Sequence, residues 1–237
     1  MLDVPAILPG TLTPRVFGRC VPRGRHGRGR EEIVAVQRAR LIDAIVQVVD
    51  EAGIEEAGVA AVCKRAGIST REFYIVFASK EECLLAALTT GAHAVCVEGR
   101  RAYVEARGPW EERVAAALRA ILQDLAVNPA FAQFSLLEMP RAGAHVLERF
   151  NDLIQEFERV FFEDAVPEFG ETPGLGPCGL ESVLIGGAME RMARCVRDSG
   201  GSELMTVLPE VTYFLTAFVV GHERALRAAE TTRSHKN

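Results

Sequence analysis

No apolar run in this 237-residue chain approaches the roughly 18 residues that a membrane span requires. The N-terminus also lacks the charged-then-apolar order of a signal peptide, because its arginines follow its apolar residues. A cytoplasmic protein with no membrane partner is therefore expected. The six cysteines (Cys20, Cys63, Cys83, Cys96, Cys178 and Cys195) form no CxxC pair and read as reduced, buried thiols. The five histidines (His26, His93, His145, His222 and His235) show neither HxxH nor HxxxH spacing, so no metal site is expected. No serine sits in a G-x-S-x-G elbow. Gly174 to Gly179 fits GxGxxG literally, but no strand precedes it and Pro177 interrupts it, so it reads as a loop rather than a dinucleotide site. Catalysis has no positive signal, and no cofactor is expected.

What the chain does contain is a large apolar fraction, 49%, beside 25% charged residues, which describes a soluble globular protein of one or two domains. Its net charge of −5 is unevenly spread. Residues 1–80 hold 12 Lys/Arg against 9 Asp/Glu, and the remainder holds 15 against 23. A basic front on an acidic body suits a nucleic-acid head joined to a module of another kind.

Residues 1–30 read as a disordered basic arm, with Pro5, Pro9, Pro14 and Pro22 and six arginines: Arg15, Arg19, Arg23, Arg25, Arg28 and Arg30. Such an arm, Arg28 and Arg30 included, could follow phosphates or enter a minor groove. It could equally be a solubilising tail. A first helix is expected from Glu31 to Ala52, with Leu41, Ile45, Val48 and Val49 at helical spacing and Gly53 as its stop. Gly58 to Lys80 then carries two short helical patterns around Ala66-Gly67-Ile68, the spacing of a helix-turn-helix over 58–77. Ser69 and Glu72 have capping-box spacing, and Gly67 suits a left-handed turn.

Everything downstream has helical periodicity: Lys80 to Arg107, Trp110 to Val127, Ala130 to Met139, Ala142 to Val166, Leu180 to Asp198 and Pro209 to Ala229. Asn-Gly and Asp-Gly hairpin turns are absent. The expected class is all-α, with an arm over 1–30, a DNA-binding head over 31–82 and a helical effector-binding and dimerisation body over 83–230.

The residues Leu41, Ile42, Ala44 and Gly53, then Ala66-Gly67-Ile68-Ser69, Phe73-Tyr74, Phe77 and Ser79-Lys80-Glu81-Glu82, resemble the TetR family of bacterial repressors. The resemblance is specific over about 36–96 and weaker over the body. It implies a homodimer on a palindromic double-stranded DNA operator, with Ser69 to Tyr74 in the major groove. Ser69, Thr70, Arg71 and Tyr74 would then be the DNA-facing residues, with Lys80 on a phosphate. Two departures stand out. Ala57-Gly58 offers no hydroxyl where the family usually has Ser or Thr opening the second helix, and Arg71-Glu72 replaces smaller residues. Glu72 is then an internal cap, or a group repelled by phosphates unless it meets a cytosine amine.

In the body, Trp110, Phe131, Phe134, Phe150 and Phe157, with Met192 and the polar pair Glu138 and Arg141, would suit an apolar effector pocket with a few orienting groups. They would suit a packed core with a surface ion pair equally well, and the resemblance favours the pocket. Leu184, Ala188 and Met192 on one late helix, with Leu208, Val211, Leu215 and Phe218 on the other, are expected to form a four-helix interface between two subunits. Packing inside one subunit is the alternative.

The expectation is a ligand-responsive DNA-binding repressor, released from DNA when a small apolar effector enters the body and tilts the helix that starts at Lys80. The alternatives are a constitutive DNA-binding regulator, or a helical carrier or enzyme with a vestigial head.

Overall fold

The computed structural model describes residues 8–11, 30–162 and 180–233, with backbone only at Arg30 and at 156–161. Most of the expected arm, Arg28 included, and the loop of 167–179 lie outside the described residues. The described residues are helical, with no strand among them, as expected of an all-α chain.

Helix α1 (Arg30–Glu56) buries Leu41, Ile45, Val48 and Val49, the face its periodicity announces. Gly53, at φ 80 and ψ 162, breaks the helical path, and a last turn continues beyond it. Helix α2 (Val59–Ala66) starts from Gly58 with no side-chain cap and ends at Gly67 in the left-handed region, where Ile68 N–H donates to Cys63 O at 3.0 Å. Helix α3 (Thr70–Val76) starts from Ser69 with both bonds of the capping box formed. Helix α4 (Lys80–Glu105) starts at Ser79, whose hydroxyl accepts from Glu82 N–H at 3.1 Å.

Helix α5 (Trp110–Val127) lies close along α4. A Cβ on Gly99 would fall 2.8 Å from Ile121 Cδ1, so the missing side chain sets the approach. The segment expected as one short helix over 130–139 is three structures in series. Helix α6 (Pro129–Gln133) passes into a π-helical turn, Phe134–Glu138, and then a 3₁₀ turn, Met139–Arg141. Pro140 has no N–H to give Leu136 O, and Met139 N–H reaches back five residues to Phe134 O.

Helices α7 (Ala144–Phe162), α8 (Leu180–Ser199), α9 (Leu208–Val220) and α10 (His222–Arg233) complete the body. The continuous last helix expected over 209–229 is interrupted at Gly221, φ 82 and ψ 166. Glu111 of α5 then holds α10 by a two-pronged bond to Arg224, 2.8 Å on each prong. No described helix is long and apolar enough to cross a membrane.

One hydrophobic core runs through the described residues, from Leu8 to Val219. A boundary at residue 82 falls inside α4, and the core passes across it. Within the expected disordered arm, Leu8 to Thr11 forms a docked turn. Leu8 is buried, Gly10 N–H donates to Asp43 Oδ1 at 2.7 Å, and Thr11 Oγ1 donates to Leu8 O at 2.7 Å. Gly10 has φ +93, and a Cβ there would lie 2.7 Å from Val46 Cγ1, so the site is shaped to a glycine.

Candidate DNA-reading face and ligand cavity

The reading face follows from how α3 is held. Ser69 Oγ accepts from Glu72 N–H at 3.2 Å and donates to Glu72 Oε2 at 2.6 Å, and Glu72 Oε2 also takes Ser69 N–H at 2.9 Å. Gln37 Nε2 donates to the other carboxylate oxygen at 3.1 Å. Glu72 is thus an internal cap rather than a base reader. Ser69, expected to face DNA, is exposed, and its hydroxyl proton is committed to Glu72. Phe73 and Phe77 bury the inner side of this corner.

Thr70, Arg71 and Tyr74 stand exposed. Ile75 joins them, 56% exposed. Sequence periodicity passed over Ile75, because an isoleucine in a short helix reads as core until the helix is oriented. Lys80, at the start of α4, donates from Nζ to Ile54 O at 3.0 Å and so ties α4 to the last turn of α1. Two more donors remain on the ammonium. Burial pushes the Cys83 thiol up to about 12, against the pull of Arg38, and raises Cys63 as well, so neither is a ready thiolate.

A cavity of ≈ 100 Å³ lies in the body, walled by α4, α5, the π turn, α7, α8 and α9. A water needs only about 10–15 Å³ by this measure, so the space holds a group of several atoms. Its wall is hydrocarbon: Leu88 and Val95, Leu118 and Ile121, Phe150 and Ile154, Met189 and Met192, among others. Among the described residues, the one polar side chain in the wall, Ser135, already donates its hydroxyl proton to Phe131 O at 2.7 Å. A guest would meet dispersion and water exclusion with almost no polar orientation.

Of the expected pocket residues, Phe150 and Met192 line this cavity. Phe157 has no described side chain. The others stand elsewhere. Trp110 packs against Phe162, ring centroids 5.9 Å apart. Phe131 lies on Gly91, where a Cβ would be 2.1 Å from the ring, and pairs with the buried Phe134. Aromatic size drew attention to these three, but rings of that size fill the core here. Glu138 turns towards α1 and accepts from Ile54 N–H at 2.9 Å, while Arg141 is exposed with Nη1 3.7 Å from Glu138 Oε1.

The expected dimer residues also divide. Leu184, Leu208 and Val211 are buried within the protomer, and Ala188, Met192 and Leu215 line the cavity. The apolar stripes of α8 and α9 face their own body because both helices wall its core. Phe218 is exposed, 66%, as is Val183, and Gly186 and Gly187 lie on the open side of α8.

Residues 41–87 match the family model described as bacterial regulatory proteins, tetR family. Two solved structures share the fold. The fatty acid degradation regulator FadR from Bacillus halodurans superposes with a TM-score of 0.65 at 20% identity, covering 74% of this chain and 96% of its own. The transcriptional regulator FadR from Bacillus subtilis, solved in complex with stearoyl-CoA, gives a TM-score of 0.64 at 19% identity, covering 77% of this chain and 97% of its own. No curated protein sequence matches the chain.

Proposed function

We propose, on the match of residues 41–87 to the tetR-family model, that this DNA-binding regulator is a cytoplasmic repressor that a molecule with a hydrocarbon tail releases from a palindromic operator. The observation that carries the effector half is the cavity, whose described lining is apolar apart from a single hydroxyl already in use. Such a wall selects for apolar length and shape, as an acyl chain supplies. The likeness in fold to a regulator solved with stearoyl-CoA supports that choice of class. At ≈ 100 Å³ the resting cavity accepts only the end of a long chain, so deeper entry parts the helices around it.

On the DNA side, α3 enters the major groove. Arg71 forks onto guanine O6 and N7, worth about 1–3 kcal/mol of discrimination. Ile75 offers a methyl-rich surface to a thymine C5-methyl, Thr70 and Tyr74 offer hydroxyls, and Lys80 adds charge against a phosphate without reading sequence. Arg28 and Arg30 extend the contact along the backbone. Two such heads come from a homodimer built on the exposed side of α8 and α9, with Val183 and Phe218 facing the partner subunit. The half-sites then lie about one DNA turn apart, or a multiple of it.

The test is selection of bound sequences from random DNA, followed by titration of the selected duplex with stearoyl-CoA. One palindrome should emerge, with steep salt dependence, and the acyl compound should weaken binding at least tenfold. Sequence-indifferent binding would sink the operator reading. Acyl-independent binding to one palindrome would leave a constitutive regulator.

A further inference from the structure

At Gly53 the path of α1 is broken, and one backbone hydrogen bond is lost with it. In an unbroken helix Ile54 N–H would donate to Asp50 O. The rotation at Gly53, φ 80 and ψ 162, turns the Ile54 amide away from that carbonyl. Both halves of the missing bond are taken up by the body. Ile54 N–H donates to Glu138 Oε2 at 2.9 Å, and Asp50 O accepts from Gln133 Nε2 at 3.4 Å. A part-buried amide left without a partner is costly, so Glu138 makes the break tolerable, while the Gln133 bond is longer and exposed.

The two side chains flank one structure. Gln133 immediately precedes the π-helical turn Phe134–Glu138, and Glu138 is its last residue. Between them, Ser135 and Leu136 form part of the cavity wall. On the other side of the same residue, Ile54 O accepts from Lys80 Nζ at 3.0 Å. Ile54 is therefore gripped by the body through its N–H and by the start of α4 through its carbonyl.

We propose that Gln133 and Glu138 are positioning residues for the DNA-reading head, fixing its pose through the broken rung at Gly53. This rests on the reading of the chain as a repressor whose two heads must meet two half-sites together. With the tie in place, α1 keeps its break and α2–α3 keep one orientation relative to the body. Without it the Ile54 amide is free, α1 can bend or straighten about Gly53, and the heads sample poses that miss one half-site. A group pressing on Ser135 and Leu136 from the cavity acts on the same five-residue turn that holds the tie.

The test uses the full chain with Glu138→Ala, Gln133→Ala and the conservative Glu138→Gln, whose amide oxygen can still accept from Ile54 N–H. Two quantities are read: hydrogen exchange at the Ile54 amide, and affinity for the selected palindrome against an isolated half-site. Glu138→Ala should raise Ile54 exchange about tenfold, in line with loss of a bond to a charged acceptor. It should weaken the palindrome several-fold while half-site affinity holds. Gln133→Ala should weaken the palindrome in the same way, and Glu138→Gln should recover most of both effects. The proposal is overturned if Ile54 exchange in Glu138→Ala stays within twofold of the parent, or if palindrome and half-site weaken together. It is likewise overturned if exchange rises equally in α5 and α9, since that marks a general loss of stability. A parent protein that binds palindrome and half-site alike counts against the dimeric-operator reading alone, and the exchange comparison still decides the tie.

Discussion

Ala188→Leu tests whether the cavity is the effector site. Ala188 is buried on α8 with its side chain on the cavity. The substitution adds three carbons, worth about 2.4 kcal/mol at roughly 0.8 kcal/mol per buried methylene. An independent estimate agrees: at about 24 cal/mol per Å³, an unfilled volume of ≈ 100 Å³ corresponds to about 2.4 kcal/mol. Both are ceilings, because the added branch must find a relaxed rotamer among fixed neighbours. With roughly half the ceiling realised, about 1 kcal/mol, the melting temperature rises by about 2–4 °C for a chain of this size. Ala117→Leu is the control: Ala117 is buried in α5 away from the cavity and has no space to fill, so the same addition should destabilise by about 1–3 kcal/mol. Thermal unfolding reads both variants, and titration of the bound operator with stearoyl-CoA reads the effector. Ala188→Leu should keep its operator affinity and need at least tenfold more acyl compound for release. A variant that is destabilised like the control, yet still released at the parent concentration, would refute the assignment of this cavity.

The other predictions separate reading from holding. Arg71→Ala should lose about 1–3 kcal/mol on the preferred operator and relax the preference at one base position, whereas Lys80→Ala should weaken all duplexes alike and flatten the salt dependence; gel-shift titrations at several salt concentrations distinguish them. Thr212→Val removes a buried hydroxyl that has no hydrogen-bond partner among the described residues and should raise stability by about 1 kcal/mol in denaturant unfolding. Burial alone would raise the Glu111 carboxyl, but the Arg224 bonds outweigh it and hold its pKa below the usual value. A lowered folded pKa contributes stability that is present above the ordinary carboxylate range, near pH 4, and is lost as pH falls through the lowered value. Comparing the acid limb of unfolding with that of Glu111→Gln should show a shallower loss in the variant.

The reading head was legible in the sequence because its determinants are local. Ser69 and Glu72 are three residues apart, Gly67 marks its own left-handed turn, and Phe73 and Phe77 follow helical spacing, so the capping box and the turn need no distant partner. The all-α class was legible for the same reason, through periodicity. The same capping box commits the hydroxyl proton of the exposed Ser69 to Glu72.

The cavity and the joint were decided only when distant segments met. Hydrophobicity marks Phe131, Phe134 and Trp110 as buried but cannot say whether a buried ring faces another ring, a glycine or an empty space. Gly91 received Phe131, Phe162 received Trp110, and the void fell among Phe150 and aliphatic side chains from six segments of the body. The stripes of α8 and α9 carry the same pattern whether they cover their own core or a second subunit, and the fold turned Leu184, Leu208 and Val211 inward. Glu138 is the clearest case. Its sequence neighbourhood pairs it with Arg141, yet its carboxylate bonds the amide of Ile54, 84 positions away. Local chemistry thus determined how this protein presents its reading helix, and long-range packing alone decided what that helix is tied to and where a guest can enter.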